Sequence, residues 1–135
     1  RPRRGKLPAM QRYIAPHLPQ PAQPFPHAVA DDRYLFLSGL VAADLPDGAA
    51  LAGDTAAEAR AVMAAIRDIL ADDGLTTAAL VRVDVYLTDL DAMPAFDAVY
   101  AEFFPAGATP ARTCVEIARL FGGCTVEVTA TARRG

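Results

Sequence analysis

The sequence predicts an α+β domain, a single mixed β-sheet with two helices on one face, in the order β-β-α-β-α-β-β. Five short apolar runs bounded by turn residues read as strands, and two longer stretches between them carry apolar residues at helical spacing. Strand–helix–strand units favour parallel pairing, whereas the runs at the two ends of the chain favour antiparallel hairpins. Two helices cover only one sheet face. We therefore expect the other face to be solvated or to pack on another subunit.

Length, charge and cysteine content limit the class of protein. A chain of 135 residues suits one domain with a sizeable core. No apolar run approaches the about 20 residues of a transmembrane helix, so no membrane partner is expected. The formal net charge of -3 makes nucleic acid an unexpected partner as well. Two cysteines without a signal peptide favour a reducing, cytoplasmic location.

The first nine residues are basic and lack any apolar period. We interpret residues 1–9 as a cloning remnant or a disordered arm, with Met10 as the natural start and residues 10–135 as one domain. An arm that binds nucleic acid is the alternative interpretation.

Prolines dominate the next segment, because residues 15–26 contain five of them. Proline fixes φ and removes a hydrogen-bond donor, which excludes a helix and a central strand there. The segment is either a linker or a wall laid across a pocket. Strands follow at residues 27–30 and 34–41, and the small pair Ser38-Gly39 in the second strand allows a close approach to its backbone.

The middle of the chain alternates helix and strand. Thr55 and Glu58 form a capping-box pattern for a helix that ends near Gly74. Residues 80–88 alternate between apolar and polar, which is typical of a half-buried strand. Asp91 is the expected cap of a second helix, which Pro105 ends.

The closing segment, residues 110–130, is expected to form two strands joined by a tight turn at residues 121–123. In that hairpin Glu116 lies opposite Glu127, and both share a face with Arg112 and Cys114. Cys124 lies on the opposite face, so no disulfide is expected. Arg112 and Glu127 are then about 13 Å apart, close enough to reach a small molecule between them.

Each of these residues also has an ordinary interpretation. Arg112 suits a solvated strand arginine, Cys114 a small buried apolar residue, and Glu127 a surface glutamate. The chain has no Cys/His spacing typical of a zinc site, no phosphate-binding loop, no dinucleotide-binding glycine motif and no nucleophile elbow.

From about residue 24 to residue 132, the chain resembles the RidA (YjgF) family of enamine/imine deaminases. The strongest match is P-A-R-T-C-V-E at residues 110–116, followed by V-E-V at 126–128; the family pattern is P-A-R-[ST]-x-V and then V-E-[IV]. Further matches are Ser38-Gly39, the helix end Ile69-Leu70 with Gly74, residues 83–89, and Tyr100-x-x-Phe103-Phe104.

The resemblance implies a chorismate-mutase-like fold and a homotrimer, in which sheet faces line a central barrel and three clefts lie between subunits. It also implies that no metal or organic cofactor is needed. Arg112 takes the place of the family's carboxylate-binding arginine, and Glu127 that of the glutamate that positions the attacking water. Cys114 and Ser38 match residues near the substrate. A guanidinium fork suits a carboxylate substrate because it binds both oxygens.

Several positions depart from the family pattern. Phe25 keeps an aromatic ring but lacks the phenol, Pro26 stands where serine is common, and Leu40 replaces a glutamine. Asp97 stands where asparagine is frequent; in the cleft it would repel an anionic substrate or select one with an amino group. His27 either donates a proton near the cleft or points to solvent.

The expected activity is hydrolysis of 2-imino acids, or of their 2-aminoacrylate tautomers, to 2-keto acids and ammonia. Glu127 and Arg112 are the expected catalytic residues, and Arg112, Cys114, Ser38, Phe25 and Asp97 the expected substrate-binding residues. The alternatives are a trimeric carboxylate-binding protein without turnover and a pathway-specific deaminase with a larger enamine substrate. A ribonuclease is a further alternative, which the acidic balance disfavours.

Overall fold

The computed structural model of the chain describes residues 10–135; the segment expected to be a remnant or arm, residues 1–9, lies outside the described residues. Six strands form one mixed sheet in the spatial order β1-β2-β3-β6-β4-β5. The strands are β1 (Gln11–Tyr13), β2 (Ala28–Ala30), β3 (Tyr34–Leu40), β4 (Leu80–Leu87), β5 (Ala111–Glu116) and β6 (Val126–Arg133). The helices are α1 (Thr55–Asp72) and α2 (Met93–Ala101). The predicted α+β class, with one mixed sheet and two helices, is confirmed, and β1 is an additional strand.

The predicted closing hairpin is wrong. β5 pairs in parallel with β4, so that Arg112 lies beside Val83. β6 is inserted between β3 and β4 and is antiparallel to both. The Phe121–Gly123 segment is a short 3-10 turn within the long connection that carries the chain from the edge strand β5 to the centre of the sheet. Glu116 therefore does not face Glu127, whose partner is Tyr86 on β4.

The core lies between one sheet face and the helices. This helix-covered face carries apolar side chains of β3, β4 and β6 that are almost fully buried: Leu35, Leu37, Val83, Val85, Val126 and Val128. Residues at alternate positions form the open face, which no helix covers: Phe36, Arg82, Asp84, Tyr86, Glu127 and Thr131. Among residues 10–135, neither helix is long and apolar enough to cross a bilayer.

The start of β6 is tied to α1 by a fully buried carboxylate, that of Glu58. Its oxygens accept hydrogen bonds from the backbone of Gly53 at 2.8 Å, from the backbone and hydroxyl of Thr125 at 2.8 and 2.9 Å, and from the backbone of Val126 at 3.2 Å. The helix is capped one residue earlier than predicted, by Asp54, which accepts from the backbone of Ala57 at 3.1 Å. Because Glu127 follows Val126, this tie also fixes the position of Glu127.

The proline-rich segment lines a cleft, as the second of its two interpretations predicted, and His27 holds the segment in place. This side chain is only 4% exposed, so the prediction that it points to solvent is wrong. Its Nδ1 accepts the backbone N–H of Ala15 at 2.7 Å, which leaves Nε2 to donate to the carbonyl of Pro19 at 3.1 Å. Both ring nitrogens are therefore used in holding residues 15–19 in place.

Candidate active site

Arg112 lies on the edge strand β5 and reaches toward helix α2. Its Nη1 donates to Oδ1 of Asp97 at 2.7 Å, and its guanidinium lies over the rings of Tyr100 and Phe96, 5.0 and 5.8 Å from their centroids. The hydrogen bond to Asp97 raises the pKa of Arg112 above its ordinary value. An ion pair on one edge and aromatic rings against its face hold the guanidinium in one orientation.

Cys114 follows two residues later on β5 and shares the face of Arg112. Its half-buried thiol is free, and burial raises the pKa of that thiol above its ordinary value. A thiol with a raised pKa is a poor nucleophile at neutral pH. Cys124 is also free, but it is buried in the core under the helices and not on the face opposite Arg112.

Glu127 lies on the open face of β6, directly over Gly39 of β3. A Cβ atom placed at Gly39 would be 2.9 Å from Oε2 of Glu127, so any larger residue at position 39 would require the Glu127 carboxyl to shift. Burial raises the pKa of the Glu127 carboxyl, and the nearby carboxylate of Asp44 raises it further. Among residues 10–135 no side chain or backbone donor is hydrogen-bonded to this carboxyl, which leaves both oxygens available for water.

A small cleft lies along the proline-rich segment, and Asp44, whose carboxylate acts on Glu127, is part of its lining. Its volume is about 240 Å³, and its lining includes Phe25, His27, Leu40, Asp44 and Phe121. The two departures Phe25 and Leu40 therefore share one largely apolar wall. Ser38, on β3, donates its hydroxyl to the carbonyl of Pro26 at 2.8 Å, which fixes the loop beside this cleft.

The site residues thus fall into two groups. The arginine half-site consists of Arg112, Cys114 and Asp97, and the glutamate half-site of Glu127, Gly39, Ser38 and Phe25. The cross-strand pairs put Arg112 and Cys114 on the helix-covered face and Glu127 on the open face. With β4 between their strands, the Cα atoms of Arg112 and Glu127 are about 14 Å apart. The predicted shared face is wrong, and one chain does not bring the two half-sites into one cleft.

Two neighbours of the site were not predicted from the sequence as parts of it. Asp44 lies in a short 3-10 turn, Ala42–Asp44, where nothing in the sequence distinguishes it from the other acids of a polar loop. Tyr100 was named from the sequence only in the match to the family pattern; its ring is buried on α2, and its hydroxyl is buried without a hydrogen-bond partner in the described part of the chain. The available signal in the sequence was a tyrosine, with its polar hydroxyl, among the apolar residues of this helix.

Within residues 10–135, no three His, Cys, Asp or Glu side chains cluster as metal ligands would.

Comparison with known proteins decides the family. The family model described as Endoribonuclease L-PSP matches residues 15–134. The chain belongs to the RidA (YjgF) family. Among RidA-family relatives, the 3-aminoacrylate deaminase RutC of Acinetobacter baylyi is 31% identical over 114 residues, which cover 84% of this chain and 90% of that protein. A RutC family protein of Pyrococcus horikoshii is 32% identical over 114 residues, again 84% of this chain and 90% of that protein.

Solved structures of RidA-family proteins share the fold. A Rid-family protein of Yersinia pestis superposes with a TM-score of 0.86 at 24% identity, covering 93% of this chain and 99% of that one. The TdcF protein of E. coli, solved with bound serine, gives a TM-score of 0.80 at 25% identity, covering 93% of this chain and 100% of that one. Names within the family differ: one relative is called a deaminase, while the family model is described as an endoribonuclease.

Proposed function

We propose that this protein hydrolyses reactive 2-imino acids, and the 2-aminoacrylate enamines that are their tautomers, to 2-keto acids and ammonia. The observation that carries the proposal is the fixed guanidinium of Arg112, which is oriented by Asp97, Phe96 and Tyr100. Such a fork suits the carboxylate common to these substrates. The deaminase name of the Acinetobacter relative and the serine bound to TdcF support a small amino- or imino-acid ligand.

The reaction needs one group that binds the substrate carboxylate and one that transfers protons. Arg112 binds the carboxylate of R–C(=NH2+)–COO−, and Glu127 holds the attacking water and takes one of its protons. Water adds to the carbon of the C=N bond, the proton passes to the nitrogen, and collapse of the carbinolamine releases NH4+ and the 2-keto acid. Burial raises the pKa of the Glu127 carboxyl, which makes this carboxylate a stronger proton acceptor than an ordinary glutamate. Such proton transfer contributes about 10²- to 10⁴-fold to a rate.

The two half-sites must come from different copies of the chain, which is why the proposal includes a homotrimer with clefts between subunits. The open face supports association, because Phe36 and Val115 expose apolar side chains there, 44% and 39% exposed. A second copy that covers this face brings its own Arg112 edge toward the neighbour's Glu127. We place the reaction in the cytoplasm, because Cys114 and Cys124 are both free thiols.

A decisive assay generates 2-iminopropionate in the cuvette with an amino-acid oxidase and follows its decay against a competing trap such as semicarbazide. The wild-type protein should accelerate the decay, and Arg112→Ala should abolish the acceleration. The exposed Arg119→Ala is the matched control and should leave the rate unchanged. A wild-type rate equal to that of spontaneous hydrolysis overturns the proposal.

A larger enamine substrate is favoured by one specific observation, the largely apolar cleft of about 240 Å³ lined by Phe25, Leu40 and Phe121. Substrate side chains longer than methyl would fit this cleft, which Asp44, the charged neighbour of Glu127, also lines. The same assay with 2-imino acids derived from alanine, leucine and phenylalanine distinguishes the two substrates. Rates that rise with side-chain size support the larger substrate.

The remaining alternatives give different readouts. A carboxylate-binding protein without turnover binds in calorimetry but leaves imine decay unchanged. A ribonuclease, the activity that the description of the family model suggests, cleaves RNA with a rate that falls steeply with salt. RNA cleavage that persists after trimming to Met10 and in Arg112→Ala would support this alternative.

A further inference from the structure

Arg112 and Asp97 present opposite charges side by side at the arginine half-site. Nη1 of Arg112 donates to Oδ1 of Asp97 at 2.7 Å, and the side chains are 23% and 43% exposed. In residues 10–135, Nε and Nη2 of Arg112 and Oδ2 of Asp97 form no other hydrogen bond. The pair therefore offers a ligand both free donors on the guanidinium and a free acceptor on the carboxylate.

The pair has little freedom to separate. The guanidinium lies over the rings of Tyr100 and Phe96, and both rings are buried, 6% and 0% exposed. Asp97 directly follows Phe96 on α2, so one turn of helix positions the acid and the ring together. A ligand that binds Arg112 therefore binds next to the negative charge of Asp97.

This neighbour changes which ligands the arginine attracts. A lone guanidinium attracts any carboxylate. Beside Asp97, a ligand that carries only a carboxylate is attracted by Arg112 and repelled by Asp97 at nearly the same distance. A 2-amino acid or a protonated 2-imino acid carries its cationic nitrogen on the carbon next to its carboxylate. Such a zwitterion complements both members of the pair.

We infer that Asp97, together with Arg112, recognises zwitterions, and that it selects protonated 2-imino and 2-amino acids over ligands with only a carboxylate. The inference rests on the proposed function and names the ionic form of its substrate. The 2-keto acid product has lost the nitrogen, so the negative charge of Asp97 favours its release.

The test is calorimetry with two unreactive ligands that differ at one group, L-alanine and L-lactate, in which a hydroxyl replaces the ammonium. The wild-type protein should bind L-alanine at least about tenfold more tightly than L-lactate, the range of one well-placed charge contact. In Asp97→Asn, L-lactate should bind about tenfold more tightly and L-alanine more weakly, so the preference disappears. Asp68→Asn, at an exposed acid on α1, should keep the wild-type preference.

Two results overturn the inference. If Asp97→Asn changes the affinity for both ligands by the same factor, or by none, Asp97 only orients Arg112. If L-alanine does not bind the wild-type protein, the pair does not recognise zwitterions. Because neither ligand reacts, the outcome is independent of turnover: an active deaminase with an unchanged preference in Asp97→Asn refutes this inference alone. If Asp97→Asn loses the preference for L-alanine but the wild-type protein does not hydrolyse imines, only the proposed reaction is refuted.

Discussion

At the scale of single residues, the chemistry of the site depends on what lies next to each group. Glu127 has a raised pKa because it is half-buried and near Asp44. Arg112 is oriented because Asp97 and two rings contact it. The sequence was sufficient to single out Arg112, Glu127 and Asp97, and to predict a close approach at Gly39. It did not reveal Asp44, because the effect of Asp44 on the pKa of Glu127 depends on packing between segments that are far apart in the chain.

The contact between Gly39 and Glu127 gives the first prediction. Gly39→Ala would place a methyl group 2.9 Å from Oε2 of Glu127 and displace the carboxyl. We expect imine hydrolysis to slow by about 10²-fold, because a catalytic group displaced by about 1 Å loses that much. Thermal stability should fall far less, since Glu127 has the open side of the sheet to move into.

A double-mutant cycle controls for other effects of the methyl group. Glu127→Asp shortens the acidic side chain and should recover part of the rate in the Gly39→Ala background, although it slows the wild-type protein. Purely additive losses in the double variant would contradict a direct contact between the two positions.

His27 gives a prediction about pH. Burial lowers the pKa of His27 below its ordinary 6.5, because the buried ring loses the water that would solvate its charged form. The neutral ring is also the form that accepts the N–H of Ala15 at Nδ1. The unfolded chain then binds more protons than the folded one below about pH 6.5. The contribution of His27 to the free energy of unfolding is complete above that pH and declines as the pH falls toward the folded pKa.

Urea unfolding at pH 7.5 and 5.5 measures this effect. The wild-type protein should lose stability on acidification, and His27→Gln should remove that part of the loss. His17→Gln, at the exposed histidine, should keep it. A pH dependence that is unchanged in His27→Gln would show that other groups cause it.

At the scale of elements, the sequence predicts whether a segment forms a helix or a strand more reliably than it predicts which strands pair. Alternation and helical spacing are local, so the two helices and the main strands were predicted. Strand pairing depends on the path of the whole chain. Residues 110–130 look like a hairpin locally, but the crossover through α2 puts β5 beside β4, and β6 fills the gap between β3 and β4. Because of this difference in strand pairing, Glu127 lies on the sheet face opposite Arg112 and not on the same face.

Glu58 supports β6 at this scale, which gives a prediction about stability. Glu58→Ala leaves the buried donor of Val126 and the partly buried donors of Gly53 and Thr125 without an acceptor. We expect the free energy of unfolding to fall by about 3 kcal/mol, since an unpaired buried donor costs about 1–3 kcal/mol and the partly buried donors add to that loss.

Glu102→Ala is the matched control for that measurement. Glu102 binds Arg60 at 2.9 Å, but both side chains are 55% exposed. An exposed pair of this kind contributes about 1 kcal/mol or less. Chemical denaturation that gave similar losses for both variants would contradict the role assigned to Glu58.

At the scale of the whole molecule, the central claim is that a complete site needs two copies of the chain. The helix-covered face presents Arg112 at the edge strand, and the open face presents Glu127 near the centre of the sheet. The proposed cyclic trimer, with one Arg112 and one Glu127 in each cleft, would satisfy this geometry and would cover Phe36 and Val115, which are exposed in the single chain.

The most direct measurement is complementation between two inactive variants. Arg112→Ala and Glu127→Gln, carrying different affinity tags, are co-expressed, and mixed trimers are purified through both tags. Each mixed trimer contains a single cleft with both native side chains, so the account predicts about one third of the wild-type rate of imine hydrolysis. Mixed trimers as inactive as either parent, beside an active wild-type protein, would contradict the shared site.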